Sequence, residues 1–254
     1  MIRGLVVAAL AVAAGLPGPA LDPARLDAPA QGIVVRAGGG IVLVDLRGHV
    51  LRHLSGFRID DVAEATRRPR EVLLRRGSAE YALGGRGVRR MPRLRGGWPR
   101  TRIGCHPGPR PFVICGYPYS RLARGSTIYV GGRRLLGPLP SPAGRTGGYW
   151  VSVELSPDRR TLLLQWEGEC ETLTAYLART DGTRLRPAVG TRATESAALG
   201  WTRDGRAVLD LPHAACGAGF PRPGVYLLDP LTGGRSFVYA GTGLLWGSAF
   251  SPRP

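Results

Sequence analysis

Leu155-Ser156-Pro157-Asp158-Arg159-Arg160-Thr161-Leu162-Leu163-Leu164-Gln165-Trp166 sets a polar turn between two apolar runs. Trp201-Thr202-Arg203-Asp204-Gly205-Arg206-Ala207-Val208-Leu209-Asp210 repeats the arrangement, with Asp204 lying 46 residues after Asp158. Aspartate and glycine suit the tight connection of a hairpin. Each copy continues into a tyrosine-centred strand and a second polar turn. These are Ala175-Tyr176-Leu177-Ala178 before Thr180-Asp181-Gly182, and Val225-Tyr226-Leu227-Leu228-Asp229 before Thr232-Gly233-Gly234. The unit is four short strands joined by turns. One such sheet cannot hide both its faces, so units of this length must stack on one another.

Working outward, a weaker copy runs through Cys105–Pro111, Phe112–Cys115 and Ile128–Val130 before Gly131-Gly132. The N-terminal copy lacks its opening strand and starts at Ile33–Arg36. The chain finishes with Leu244-Leu245-Trp246-Gly247-Ser248-Ala249-Phe250-Ser251-Pro252, which reads as an opening strand with its turn. The two ends therefore complete one sheet, and the ring has no free edge at its seam. This predicts an all-β fold, a β-propeller of about five four-stranded blades, closed when the C-terminal strand joins the N-terminal blade. Blades fall near 58–96, 97–142, 147–191 and 196–243, plus the closing blade; six narrower blades are the alternative count.

The run Ser156-Pro157-Asp158-Arg159-Arg160-Thr161-Leu162-Leu163-Leu164, followed by Ala175-Tyr176-Leu177-Ala178 and Thr180-Asp181-Gly182, resembles the repeat of TolB-like propellers, exported proteins related in pattern to WD repeats. Arg159 stands where that repeat carries its turn glycine. The resemblance implies the fold and an exported location. The TolB family implies periplasmic protein–protein binding, but propellers host many activities, so no particular partner transfers with the pattern.

The 254 residues suit a single propeller domain spanning 31–254. The 38 glycines and 22 prolines fall between apolar runs, as turns do. All 35 basic residues are arginine, against 18 acids, for a net charge of +17. Between Arg67 and Arg110 stand 13 arginines and only Glu71 and Glu80 as acids. A basic surface attracts anionic partners over long range. Arg86, Arg89, Arg90, Arg93, Arg95, Arg100 and Arg102 are the candidates for such binding, to an anionic cell-envelope polymer or an acidic protein. The bland reading of the same residues is a solvated face. Nucleic acid is not expected as the partner of an exported chain, although Trp98, Tyr117, Tyr119, Trp150 and Trp166 have arginines nearby. Core packing is the simpler role for Trp150, Trp166 and Trp201.

Arg3 followed by the apolar run Gly4–Leu16 and the breakers Pro17 and Pro19 reads as a signal peptide, with cleavage near 20 or near 30. Residues 1–30 are thus expected to be a leader, and the mature chain to be secreted or held in the cell envelope as a monomer with no transmembrane span. Four cysteines in such a chain point to disulfides. Cys105, Cys115, Cys170 and Cys216 allow three pairings. Cys105 and Cys115 flank one hairpin, and Cys170 and Cys216 hold equivalent places in consecutive repeats.

Catalytic signatures are missing. No G-x-S-x-G is present, and no lysine exists for a phosphate loop. The glycines between Gly241 and Gly247 miss dinucleotide spacing and precede a strand. His49 and His53 are four apart but on a hairpin, and no cysteine or histidine cluster has zinc spacing. Glu167, Glu169 and Glu171 around Cys170 could hold a cation or pair with arginines. The expectation is a non-enzymatic binding module with no cofactor, no metal and no catalytic residue. A glycosidase-like propeller hydrolase using carboxylates around the channel is the alternative, and a purely structural exported domain is the third reading.

Overall fold

The computed structural model describes residues 31–37, 39–59, 72–84, 87–90, 105–107, 111–115, 125–139, 148–168, 172–191, 194–212 and 220–246. They form twenty strands and, among the described residues, no helix. Blade 1 contains β1 (Gly32–Ala37), β2 (Gly40–Val44) and β3 (Val50–Ser55), and β20 (Gly243–Trp246) enters it from the far end of the chain. Blade 2 is β4 (Arg58–Ile59), β5 (Val72–Arg76), β6 (Ala79–Gly84) and β7 (Gly87–Arg90). Blade 3 is β8 (Cys105–Pro107), β9 (Phe112–Cys115), β10 (Thr127–Val130) and β11 (Arg133–Leu136). Blade 4 is β12 (Tyr149–Leu155), β13 (Thr161–Glu167), β14 (Leu173–Arg179) and β15 (Arg186–Pro187). Blade 5 is β16 (Ala197–Trp201), β17 (Ala207–Leu211), β18 (Gly224–Leu228) and β19 (Arg235–Tyr239). Every pairing is antiparallel, and the five-bladed count is the one the repeats predict.

The repeat turns explain how each blade starts. In blade 4 the Ser156 hydroxyl donates to the Asp158 carboxylate at 2.6 Å and accepts the Thr161 amide at 2.9 Å. In blade 5 the Thr202 hydroxyl donates to Asp204 and accepts the Arg206 amide. The second hairpin is one residue shorter. Its glycine, Gly205, sits at φ +83°, and Arg159 takes the same left-handed conformation at φ 61° in blade 4. The arginine therefore occupies the glycine's place, three residues after the turn hydroxyl, and the extra residue of blade 4 follows it.

Four apolar clusters lie between blades, and they show why the strands read as unbroken apolar runs. Both faces of each central strand are buried, each against a different neighbour. Leu162 and Leu164 pack toward blade 3 with Phe112, Ile114 and Trp150, while Leu163 packs toward blade 5 with Trp201 and Leu209. Val34 faces blade 2 with Leu74 and Leu83, while Ile33 and Val35 face blade 5 with Val208 and Val225. Trp150, Trp166 and Trp201 are core residues, with the Trp150 ring set edge-on to Trp166 and Tyr176. The fourth strands are the most exposed and form the outer rim.

The seam between blades 5 and 1 joins the ends of the domain. β20 runs beside β1 with Gly32 opposite Trp246 and Val35 opposite Gly243. Trp246 is fully buried and packs into the cluster between blades 1 and 2. A side chain at Gly32 would overlap the Trp246 ring, so glycine is required there. Gln31 bridges the seam, its amide donating to the Trp201 carbonyl at 3.2 Å and accepting the Arg203 amide at 3.0 Å.

Replacing Trp246 with alanine is expected to lower unfolding stability by about 4 kcal/mol, because it empties the core beside the closing strand. The same change at Leu231, which is 89% exposed, is expected to stay within about 0.5 kcal/mol. Urea denaturation of the two variants checks the contrast.

Candidate functional site

Five of the ten acids among the described residues are held by turns. Asp45 accepts the Arg47 and His49 amides and meets the His49 ring at 3.1 Å. Asp158 and Asp204 hold the blade-opening turns. Asp181 accepts the Thr183 amide and hydroxyl, and Asp229 accepts the Leu231 amide. The Ser156 hydroxyl is the main reason that the Asp158 carboxyl is held below its ordinary range. His49 is therefore a turn residue, and His53 lies on the outer strand β3.

Asp210 is different. It lies on β17, 3% exposed, on the face turned toward blade 1. Its Oδ2 accepts the Gly243 amide at 3.3 Å, and its Oδ1 has no hydrogen-bond partner. Burial pushes its pKa up to about 7, and the Gly243 amide pulls only weakly the other way. A carboxyl of that kind, buried between two blades, has the raised pKa of a general acid.

Blade 4 shows what the position does. Counted from the amide that each turn hydroxyl accepts, Gln165 and Asp210 occupy the same place. Gln165 is also buried. Its Oε1 accepts the Ala198 amide, and its Nε2 donates to the Ser196 carbonyl at 3.3 Å. Ala198 and Gly243 each stand three residues before a buried tryptophan, Trp201 and Trp246, in the first strand of the next blade. Gln165 and Asp210 are thus the same latch, tying one blade to the opening strand of the next. Glutamine fills the place without charge; aspartate fills it with an ionisable group and one idle oxygen. The sequence reading assigned Asp210 no role.

The arginines form the second candidate. Among the residues singled out from sequence, Arg89 and Arg90 lie on β7, the outer strand of blade 2, and Arg90 is exposed. Arg86, Arg93, Arg95, Arg100 and Arg102 lie outside the described residues. The structure adds a pattern that sequence spacing did not suggest. The outer strands β3, β7, β11, β15 and β19 carry Arg52, Arg89, Arg90, Arg133, Arg134, Arg186 and Arg235, and not one acid. Arg186 donates to the Pro230 carbonyl at 2.9 Å, and Arg235 stacks over Phe220 at 5.1 Å. Arg90, Arg133 and Arg134 are exposed.

Among the cysteines, Cys115 is disulfide-bonded and β8 sets Cys105 directly opposite it in register. Cys170, Cys216, Glu169, Glu171 and His213 lie outside the described residues, as do Trp98, Tyr117 and Tyr119. No cluster of three metal-ligating side chains occurs among the described residues, and no described helix is long and apolar enough to cross a membrane.

No protein-family profile matches the chain, and no curated protein matches it. Solved structures do. A protein described as TolB from Agrobacterium tumefaciens is 14% identical over 89% of this chain and 94% of its own, with a TM-score of 0.36. The chain is similar to TolB in fold. A puromycin hydrolase is 16% identical over 85% of this chain and 39% of its own, with a TM-score of 0.34. Both likenesses are distant and concern fold alone.

Asp210 makes stability depend on pH in a defined direction. Its folded pKa of about 7 lies above the ordinary 3.8, so the folded chain binds the extra proton. The stability that Asp210 contributes is full below pH 3.8, falls as pH rises toward 7, and is gone above. Asp210→Asn keeps an acceptor for Gly243 and removes the titration. The variant is expected to lose this slope and to exceed the parent chain at pH 8 by up to about 4 kcal/mol, with little difference at pH 4. Chemical unfolding at a series of pH values measures both.

Proposed function

We propose that the protein is an exported binding module whose outer blade edges receive an acidic partner, a protein or an anionic polymer of the cell envelope. The single observation that carries this reading is the sign of charge on the rim: seven arginines and no carboxylate on five outer strands. An edge strand presents open backbone groups, and positive side chains keep it from pairing with its own kind. The same charges draw in an acidic surface and favour its docking. Export is supported by the signal-like segment Gly4–Leu16 and by the bonded Cys115. In this reading residues 1–30 are a leader and 31–254 a single propeller domain. Cys105 is the partner of Cys115, since directly opposed strand residues lie within disulfide reach. Cys170 and Cys216 form the second bond. The mature chain acts as a monomer and uses no cofactor.

A hydrolase is the second reading, and Asp210 is the observation that favours it. The equivalence with Gln165 weighs against it, because a glutamine performs the same structural task one blade earlier. Loss of a turnover activity in a folded Asp210→Asn variant would move the assignment to the hydrolase.

The binding reading predicts a salt signature. Purified mature protein should bind polyglutamate and polyphosphate, with affinity falling steeply as salt rises, because screening and counterion release oppose the contact. Replacing Arg90, Arg133 and Arg134 together by glutamine is expected to weaken binding about tenfold and flatten the salt slope. Equal binding by parent and variant at all salt concentrations would contradict the role of the rim.

A further inference from the structure

The five outer edges are not alike. β15 has two residues, β7 and β11 four each, and β19 five, while β3 has six and is the longest. Among the described residues β3 pairs only with β2, so its other side presents open backbone groups. It also carries unusual side chains. Four large hydrophobic residues are strongly exposed among the described residues, and two of them, Val50 at 44% and Leu51 at 42%, are adjacent on this strand. Val151 lies on the first strand of blade 4 and Leu231 in a turn. Beside Val50 and Leu51 stand Arg52 and His53, with Arg47 and His49 in the preceding turn. Asp45, the lone acid of this hairpin, is occupied by the Arg47 and His49 amides and by the His49 ring.

The direction of the open groups follows from the ladder. Gly56 donates its amide to the Gly39 carbonyl at 2.9 Å, which marks that pair as hydrogen-bonded. Antiparallel pairs alternate. Leu54, opposite Ile41, and Arg52, opposite Leu43, therefore point their amides at β2. The amides of His53 and Ser55 point outward, one strand-spacing from any segment that lies alongside.

We propose that the β3 edge of blade 1 is a strand-addition site for an extended acidic peptide segment of a partner protein, with carboxylates and apolar side chains in alternation. The proposal rests on the acidic-partner reading of the rim and names where and in what form that partner docks. Main-chain hydrogen bonds to His53 and Ser55 hold the added strand, and its side chains alternate between the two faces. Carboxylates line one face and meet Arg52, and apolar side chains line the other, beside Leu51. A second copy of this chain is a poorer occupant. Antiparallel pairing of two β3 strands centred on Arg52, a register in which the outward amides meet, sets Arg52 of one copy directly against Arg52 of the other, and like charges directly opposed destabilise a pair.

The probes are two labelled hexapeptides of equal charge, one alternating glutamate with valine and one alternating glutamate with proline, with polyglutamate as a reference. Proline has no amide to donate, so the second peptide carries the charge without the ladder. The expected result is that the glutamate–valine peptide binds at least about ten times more tightly than its proline counterpart. It should also protect the 50–55 amides from hydrogen exchange. His53→Pro removes an outward amide and is expected to weaken that peptide about tenfold while leaving polyglutamate binding unchanged. Leu51→Glu, which leaves the backbone intact, should weaken it as well and serves if the proline variant does not fold. Equal binding of the two hexapeptides, or protection confined to other strands, overturns strand addition while leaving the acidic-partner reading in place. Failure of all three probes to bind overturns both.

Discussion

Pairing of β20 with β1 is the contact on which the architecture depends. Four residues at one end of the domain, Gly243–Trp246, supply the missing strand of a blade whose other three strands begin at Gly32. Without it, β1 would be an open edge of almost purely apolar residues, Ile33-Val34-Val35, at most 2% exposed when folded. Such an edge is a template for aggregation. The strand also delivers Trp246 into the cluster between blades 1 and 2, and it sets Leu245 against blade 5. One short segment thus connects three blades.

The same seam holds the one ionisable group among the described residues with a buried oxygen that has no hydrogen-bond partner. At the equivalent seam between blades 4 and 5, Gln165 makes three hydrogen bonds and carries no charge. At the closing seam Asp210 makes one through Oδ2 and leaves Oδ1 idle. A buried carboxyl in that state is disfavoured as an anion. The ring therefore closes on its least comfortable polar contact, and closure strengthens as protons become available. The outer edges show the opposite economy. There the charges are of one sign and lie on the outermost strands rather than where blades meet.

Much of the fold was legible in the chain because the physics of a blade is local. The S-P-D-R-R and T-R-D-G-R turns, the tyrosine-centred third strands and the second polar turns recur in the same order, and the lack of an opening strand before Ile33 is matched by a spare one at the end. The site was less legible. Aligning the repeats on Asp158 and Asp204 puts Leu164, not Gln165, against Asp210. The blade 5 hairpin is one residue shorter, so the true correspondence slips by one after the turn, and a one-residue slip in a strand exchanges its faces. The latch was hidden by that slip. The rim charges were hidden for another reason. Arg52, Arg133, Arg186 and Arg235 are far apart in sequence and share nothing except being on a fourth strand, which only the sheet order reveals. The dense arginine run from Arg67 to Arg110 drew attention by composition alone, and only Arg89 and Arg90 of its candidates fall on a described outer strand.

Ring closure by the C-terminal strand is open to a direct measurement. Nuclear Overhauser contacts between the backbone of Gly32–Val35 and that of Gly243–Trp246 report strand pairing across more than two hundred residues of chain. The account predicts contacts in the register that sets Val34 opposite Leu244 and Ile33 opposite Leu245. Contacts of β1 with β2 alone, in a folded protein, would contradict it.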